Sequence, residues 1–164
     1  MDMLVKLYTL PEQHTLLAAL AAEGITVRRA IAPEKHVVTE WVRQLFSPFW
    51  QSEAEVAFAH TPVSCFVATH EGKPIGFGCY DTTQRGFFGP TGVDETYRGR
   101  RIGKALLLAC LHDMRAQGYG YAVIGGAGPV DFYIGVVGAM PIPDSIPGVY
   151  AGMLRDGDED DDDE

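Results

Sequence analysis

The chain has little of what would fix its chemistry at a glance. Its 164 residues contain three cysteines, Cys65, Cys79 and Cys110, and no CxxC pair. That spacing argues against a disulfide scaffold and a cysteine-based zinc site, and the apolar neighbours of each mark it as a reduced core residue. The five histidines, His14, His36, His60, His70 and His112, lack paired ligand spacing, so no metal is expected. No apolar run approaches the ~18 residues of a membrane span. The start, MDMLVKLYTLPEQ, lacks the basic flank, apolar run and small-residue cleavage site of a secretory leader. A cytoplasmic protein without a membrane partner is expected.

Positive charge is also scarce, with 13 Lys and Arg against 22 Asp and Glu and a formal net charge of −9. Eight of the 22 carboxylates crowd into Asp156 to Glu164, and without those eight the formal charge is −1. The body is therefore near neutral and lacks the wide basic face of a nucleic-acid binder. The acidic run has no apolar area to offset the entropy of ordering it, so residues 155–164 are expected to be a disordered tail. It also lacks the turn glycine of a calcium loop.

What is present begins with 46% apolar content, enough for one domain with a single core. Met3–Leu10 reads as a strand and Gln13–Glu23 as a helix closed by Gly24, together an appendage over residues 1–24 that could extend the sheet, cover a pocket or mediate self-association. Ile25–Ile31 is a strand by its β-branched alternation. A helix opens at Pro33 and runs to about Phe46, and a shorter one covers Ser52–His60. Cys65–His70 and Pro74–Tyr80 form a hairpin that continues into the strand Gly86–Val93. Ile102–Gln117 is the longest helix, apolar over so wide a surface that it must be clamped between the sheet and other structure. Tyr121–Ile124 is a short strand, Pro129–Val137 a helix, and Pro141–Leu154 one or two irregular strands.

Chemistry concentrates at Tyr97–Leu107, YRGRRIGKALL. Glycines and four cations, Arg98, Arg100, Arg101 and Lys104, crowd where a loop becomes an apolar helix. Cations at a helix N-terminus oppose its dipole, so four of them there call for an anion. The loop is one residue too short for a Walker loop, and Ala105 stands where a magnesium-binding hydroxyl would be needed. Gly126-Ala127-Gly128 lacks the third glycine and acidic partner of a dinucleotide fingerprint.

Three separated signals then agree: V-x-x-x-x-RGxxIGxxL from Val93 to Leu106, the small-residue turn Gly125–Pro129, and Phe132-Tyr133 followed by Gly138-Ala139. Over residues 25–154 the chain resembles the GNAT superfamily of acyl-CoA-dependent N-acyltransferases. The resemblance implies a mixed, mainly antiparallel α/β sheet flanked by helices and an acetyl-CoA co-substrate. It implies contacts from Thr91, Gly92, Val93, Arg98, Gly99, Arg100, Arg101, Ile102, Gly103 and Lys104. Pantetheine would enter a splayed sheet beside the strand Gly89–Val93, whose proline and glycines weaken pairing. The Val93 amide would donate to the thioester oxygen, and Tyr133 would act as the acid toward the CoA thiolate. Arg101 stands where the family's loop usually has glycine, and it requires negative φ or strain.

The implied reaction is acetyl transfer to a primary amine, with a small metabolite as the expected acceptor and a protein or peptide amine as the alternative. A non-catalytic acyl-CoA-binding sensor is the rival from another class, and a homodimer is compatible with the family. Glu40, Asp81 and Asp131 are candidate bases, and the sequence does not choose among them. Trp41, Phe46, Phe49 and Trp50 are candidates for an acceptor pocket, with Trp41 assigned to the core.

Overall fold

The computed structural model describes residues 1–157, so most of the acidic tail lies outside the described residues. The elements in chain order are β1 (Met3–Lys6), α1 (His14–Ala22), β2 (Ile25–Arg29), α2 (Lys35–Leu45), α3 (Pro48–Ala59), β3 (Cys65–His70), β4 (Lys73–Tyr80), β5 (Phe87–Val93), α4 (Ile102–Ala116), β6 (Tyr121–Ile124), α5 (Val130–Val137) and β7 (Met140–Pro141). One seven-stranded sheet runs in the order β2-β3-β4-β5-β6-β1-β7. Every pairing is antiparallel except β5 with β6. This is the mixed, mainly antiparallel α/β sheet expected from the sequence.

β4 is an inner strand between β3 and β5, buried continuously from Ile75 to Tyr80 because helices cover both of its faces. On one face α4 lies so close that a Cβ at Gly76 would sit 2.9 Å from Leu106 Cδ1, and one at Gly78 would sit 3.3 Å from Cys110 Sγ. Nine of the fifteen residues of α4 are buried, as its broad apolar surface predicts. On the other face α2 and α3 pack Val38, Val42, Ala54 and Ala57 against Val67, Phe77 and Cys79. The aromatic rings of Trp41, Phe46, Trp50 and Phe77 meet there at centroid distances of 5.1 to 6.0 Å.

Within residues 1–24, β1 lies between β6 and β7, with Met3, Val5 and Leu7 fully buried. The reading of the segment after α5 changes. Residues 141–154 hold only the last residue of the two-residue β7 and a 3₁₀ turn at Gly148–Tyr150. Pro141, Pro143 and Pro147 lack the N–H a ladder needs, which ends pairing there. Helix α3 also starts earlier than expected, because the Ser47 hydroxyl accepts the Trp50 N–H at 3.1 Å and Pro48 occupies the first helical position.

Candidate active site

β5 and β6 pair only at Phe87–Val123 and Phe88–Ile124. Past that point β5 keeps its partner on one side alone, through Gly78–Thr91, Phe77–Gly92 and Gly76–Val93. The Asp94 N–H donates to the Ile75 carbonyl at 2.8 Å. Successive amides along a strand face opposite sides, so the Val93 N–H points away from β4 into the gap between β5 and β6. The absence of a side chain at Gly92 has a packing cause. A Cβ there would meet the Phe46 ring at 2.5 Å.

The gap ends at the start of α4. Arg101 precedes the helix in the left-handed region, φ 64° and ψ 20°, and no side chain caps it. The sequence required negative φ or strain at this position, and the chain takes the second option. The Ala105 N–H donates to the Arg101 carbonyl at 3.1 Å, which leaves the amides of Ile102, Gly103 and Lys104 without a partner in the helix. No acidic residue stands in the first turn. A Cβ at Gly103 would have only Val93 Cγ2 near it, at 3.9 Å, so the surface there is open.

A cavity of about 550 Å³ runs along this region and is lined by nine of the ten cofactor residues expected from the sequence, together with Tyr133. The exception is Arg100. Its guanidinium lies 5.3 Å over the Tyr97 ring, and the Tyr97 hydroxyl is 2.8 Å from His70 Nδ1. Arg98, Arg101 and Lys104 line the cavity, and among the described residues no carboxylate does. Unengaged amides at a helix N-terminus with surrounding cations fit a diphosphate.

A second cavity, about 860 Å³, adjoins the first and shares Phe88, Thr91, Pro129 and Tyr133 with it. Tyr133 is 5% exposed and packs edge-on to Phe88 at 6.5 Å. Burial pushes its phenol above the ordinary value of 10.0, so it is protonated at neutral pH.

None of the three carboxylates named from the sequence lines either cavity. Glu40 pairs with Arg43 on the outer face of α2, Asp131 is exposed, and Asp81 accepts the Gly86 N–H and the Tyr119 hydroxyl, each at 2.7 Å. The larger cavity instead contains Glu53 from α3, which sequence reasoning missed. Its half-buried carboxylate accepts the Thr83 hydroxyl. Burial raises its pKa above the ordinary carboxyl value, against the lowering effect of that hydrogen bond. Of the four aromatic candidates, Phe49 and Trp50 line this cavity, while Trp41 and Phe46 pack into the core beneath it.

The N-terminus braces the cavity wall. The buried Asp2 carboxylate accepts the Gly126 N–H at 2.9 Å, and the Asp2 N–H donates to Ser145 Oγ at 2.8 Å. The Ala127 N–H donates to the Met1 carbonyl and the Ile142 N–H to the Asp2 carbonyl, each at 2.9 Å. These bonds tie the 125–128 turn to the segment leading to Tyr150, whose hydroxyl would lie 3.1 Å from a Cβ at Gly125. Among the described residues no three His, Cys, Asp or Glu side chains gather as metal ligands, and no helix is long and apolar enough to cross a membrane.

Residues 35–129 match the model of the acetyltransferase (GNAT) family, and the chain belongs to that family, whose members transfer acetyl groups with acetyl-CoA as co-substrate. No curated protein sequence matches it. Among solved structures it is similar to the GCN5-related glucosamine N-acetyltransferase region of a fungal multi-domain GH3 β-N-acetylglucosaminidase, with TM-score 0.67 and 17% identity over 83% of this chain and 19% of that one. It is also similar to a GCN5-related N-acetyltransferase from Sphaerobacter thermophilus, with TM-score 0.65 and 22% identity over 85% of this chain and 47% of that one. The chain thus spans less than half the length of either. At these identities the likeness is one of fold.

Proposed function

We propose that the protein transfers an acetyl group from acetyl-CoA to a primary amine of a small molecule. The observation that carries this reading is the meeting of two cavities at Tyr133, one with an uncapped helix N-terminus and three cations, the other with a single carboxylate. The amides of Ile102, Gly103 and Lys104 hold the diphosphate, assisted by Arg98, Arg101 and Lys104. The Val93 N–H donates to the thioester oxygen and stabilises the charge that develops when the amine attacks. Glu53 takes the proton the amine must lose, directly or through water. Tyr133, protonated because it is buried, donates to the departing sulfur; a phenol above ~10 is a weaker acid than a thiol near ~8.5, so its hydrogen bond to the thiolate matters more than full transfer.

The test is thiol release from acetyl-CoA across a set of amines, with Tyr133→Phe as the control. Loss of the hydroxyl should lower kcat about 10- to 100-fold and leave the Kd for CoA within about twofold. Unaltered kinetics would remove Tyr133 from the mechanism. A protein that binds acetyl-CoA yet acetylates no amine would be the non-catalytic binding module.

A further inference from the structure

The larger cavity is chemically one-sided. Glu53 is its only charged lining residue among the described residues, and no Lys, Arg or His reaches it. The remainder of its wall is chiefly aromatic or apolar, with Phe49, Trp50, Phe88, Val149, Tyr150 and Met153 contributing. Several of the polar groups near it are already engaged. The Thr82 hydroxyl donates to the Gly89 carbonyl at 2.9 Å, and the Thr83 hydroxyl donates to Glu53. The amides of Gly126 and Ala127 donate to Asp2 and Met1.

We infer that the acceptor is a primary amine with an apolar or aromatic body and no carboxylate. This rests on reading the larger cavity as the acceptor side of an acetyltransferase. An amine arrives mostly as an ammonium ion, which Glu53 attracts and then deprotonates. Glu53 releases that first proton to solvent, the nitrogen lone pair forms the bond to the acetyl carbon, the C–S bond breaks with its electrons on a sulfur that the Tyr133 hydroxyl hydrogen-bonds, and the second amine proton passes to Glu53 and on to solvent. An amino acid of the same body would carry its carboxylate into a wall with no cation to meet it and one like charge to repel it. A buried anion without a partner is strongly disfavoured. A site lacking the complementary group therefore discriminates against the charged analogue by orders of magnitude.

The experiment compares 2-phenylethylamine with L-phenylalanine, which differ by the carboxylate alone, in two arms. In turnover, kcat/KM corrected for the neutral amine fraction should favour 2-phenylethylamine by about 100-fold or more. In isothermal titration of the full chain with CoA bound, 2-phenylethylamine should bind and L-phenylalanine should bind at least tenfold more weakly. Glu53→Gln should weaken 2-phenylethylamine binding about tenfold and leave CoA binding unaltered. Equal or tighter binding of the amino acid overturns the inference, as does faster acetylation of a lysine peptide than of 2-phenylethylamine. Discrimination in the titration without acetyl transfer would support the cavity's selectivity and count against the catalytic reading, so the two fail separately.

Discussion

The two halves of the site are assembled in opposite ways. The donor half is nearly contiguous in sequence: Thr91–Val93 and Arg98–Lys104 supply most of its wall, and among the described residues its charge is wholly positive. The acceptor half is gathered from α3, the β4–β5 loop, the 125–128 turn and the segment at 149–153, and among the described residues its one charge is negative. A contiguous half is defined by local backbone geometry, since a strand that loses its neighbour and an uncapped helix start present free amides whatever the rest of the chain does. A dispersed half depends on tertiary packing. On the proposed function, the donor half serves a shared co-substrate, and the acceptor half can vary with the amine.

The sharpest break in that comparison is Glu53→Gln, which removes the one acceptor-side charge among the described residues. Loss of the base should lower kcat by 10²-fold or more, leaving the Kd for acetyl-CoA unaltered. Burial raises the Glu53 pKa, and the base acts when deprotonated. Wild-type kcat/KM should therefore climb with pH through that raised value, and the glutamine variant should lose this limb. Stability moves the other way. The folded state binds this proton more tightly than the unfolded chain, so the carboxyl's contribution is greatest below its unfolded pKa and declines as pH rises through the folded one. Thermal melts at pH 8 should place the variant slightly above wild type, by about 1–3 °C.

The same division explains what was legible in the sequence. Val93–Leu106 announced the donor half because glycines and cations at fixed offsets define a loop and a helix start by themselves. The long helix and the strand Tyr121–Ile124 were equally visible from apolar pattern. Glu53 carried no such mark. Its partner Thr83 lies 30 residues away, and a glutamate on an early helix looks like a solvated one until the fold turns it inward. Tyr150 lay in a segment read as strand, and its place over Gly125 depends on Asp2 at the other end of the chain.

Gly92 sharpens the comparison at the seam between the halves. The resemblance assigned it to the co-substrate, whereas its missing side chain makes room for Phe46 beneath the acceptor cavity. Gly92→Ala should overpack that contact and destabilise the fold by about 1–3 kcal/mol, read as a lowered denaturation midpoint. Phe46→Leu in the same chain should recover part of the loss. A variant as stable as wild type would return Gly92 to a purely co-substrate role.

The smallest effect belongs to Arg101, where two demands of the donor half conflict. The left-handed backbone at φ 64° costs a non-glycine residue about 1–2 kcal/mol, and a glycine would relieve it. Glycine also gives the unfolded chain more freedom, which offsets about 0.4–1 kcal/mol of that gain. Arg101→Gly should therefore raise stability by about 0–1.6 kcal/mol. The same substitution removes one of three cations lining the cavity, so the Kd for CoA should rise several-fold at low salt, with the difference shrinking as ionic strength screens it. Titration of both proteins with CoA at low and high salt decides the matter. A salt-independent loss would mean the side chain acts through backbone geometry, and unaltered affinity would mean that the amides of α4 hold the diphosphate without its help.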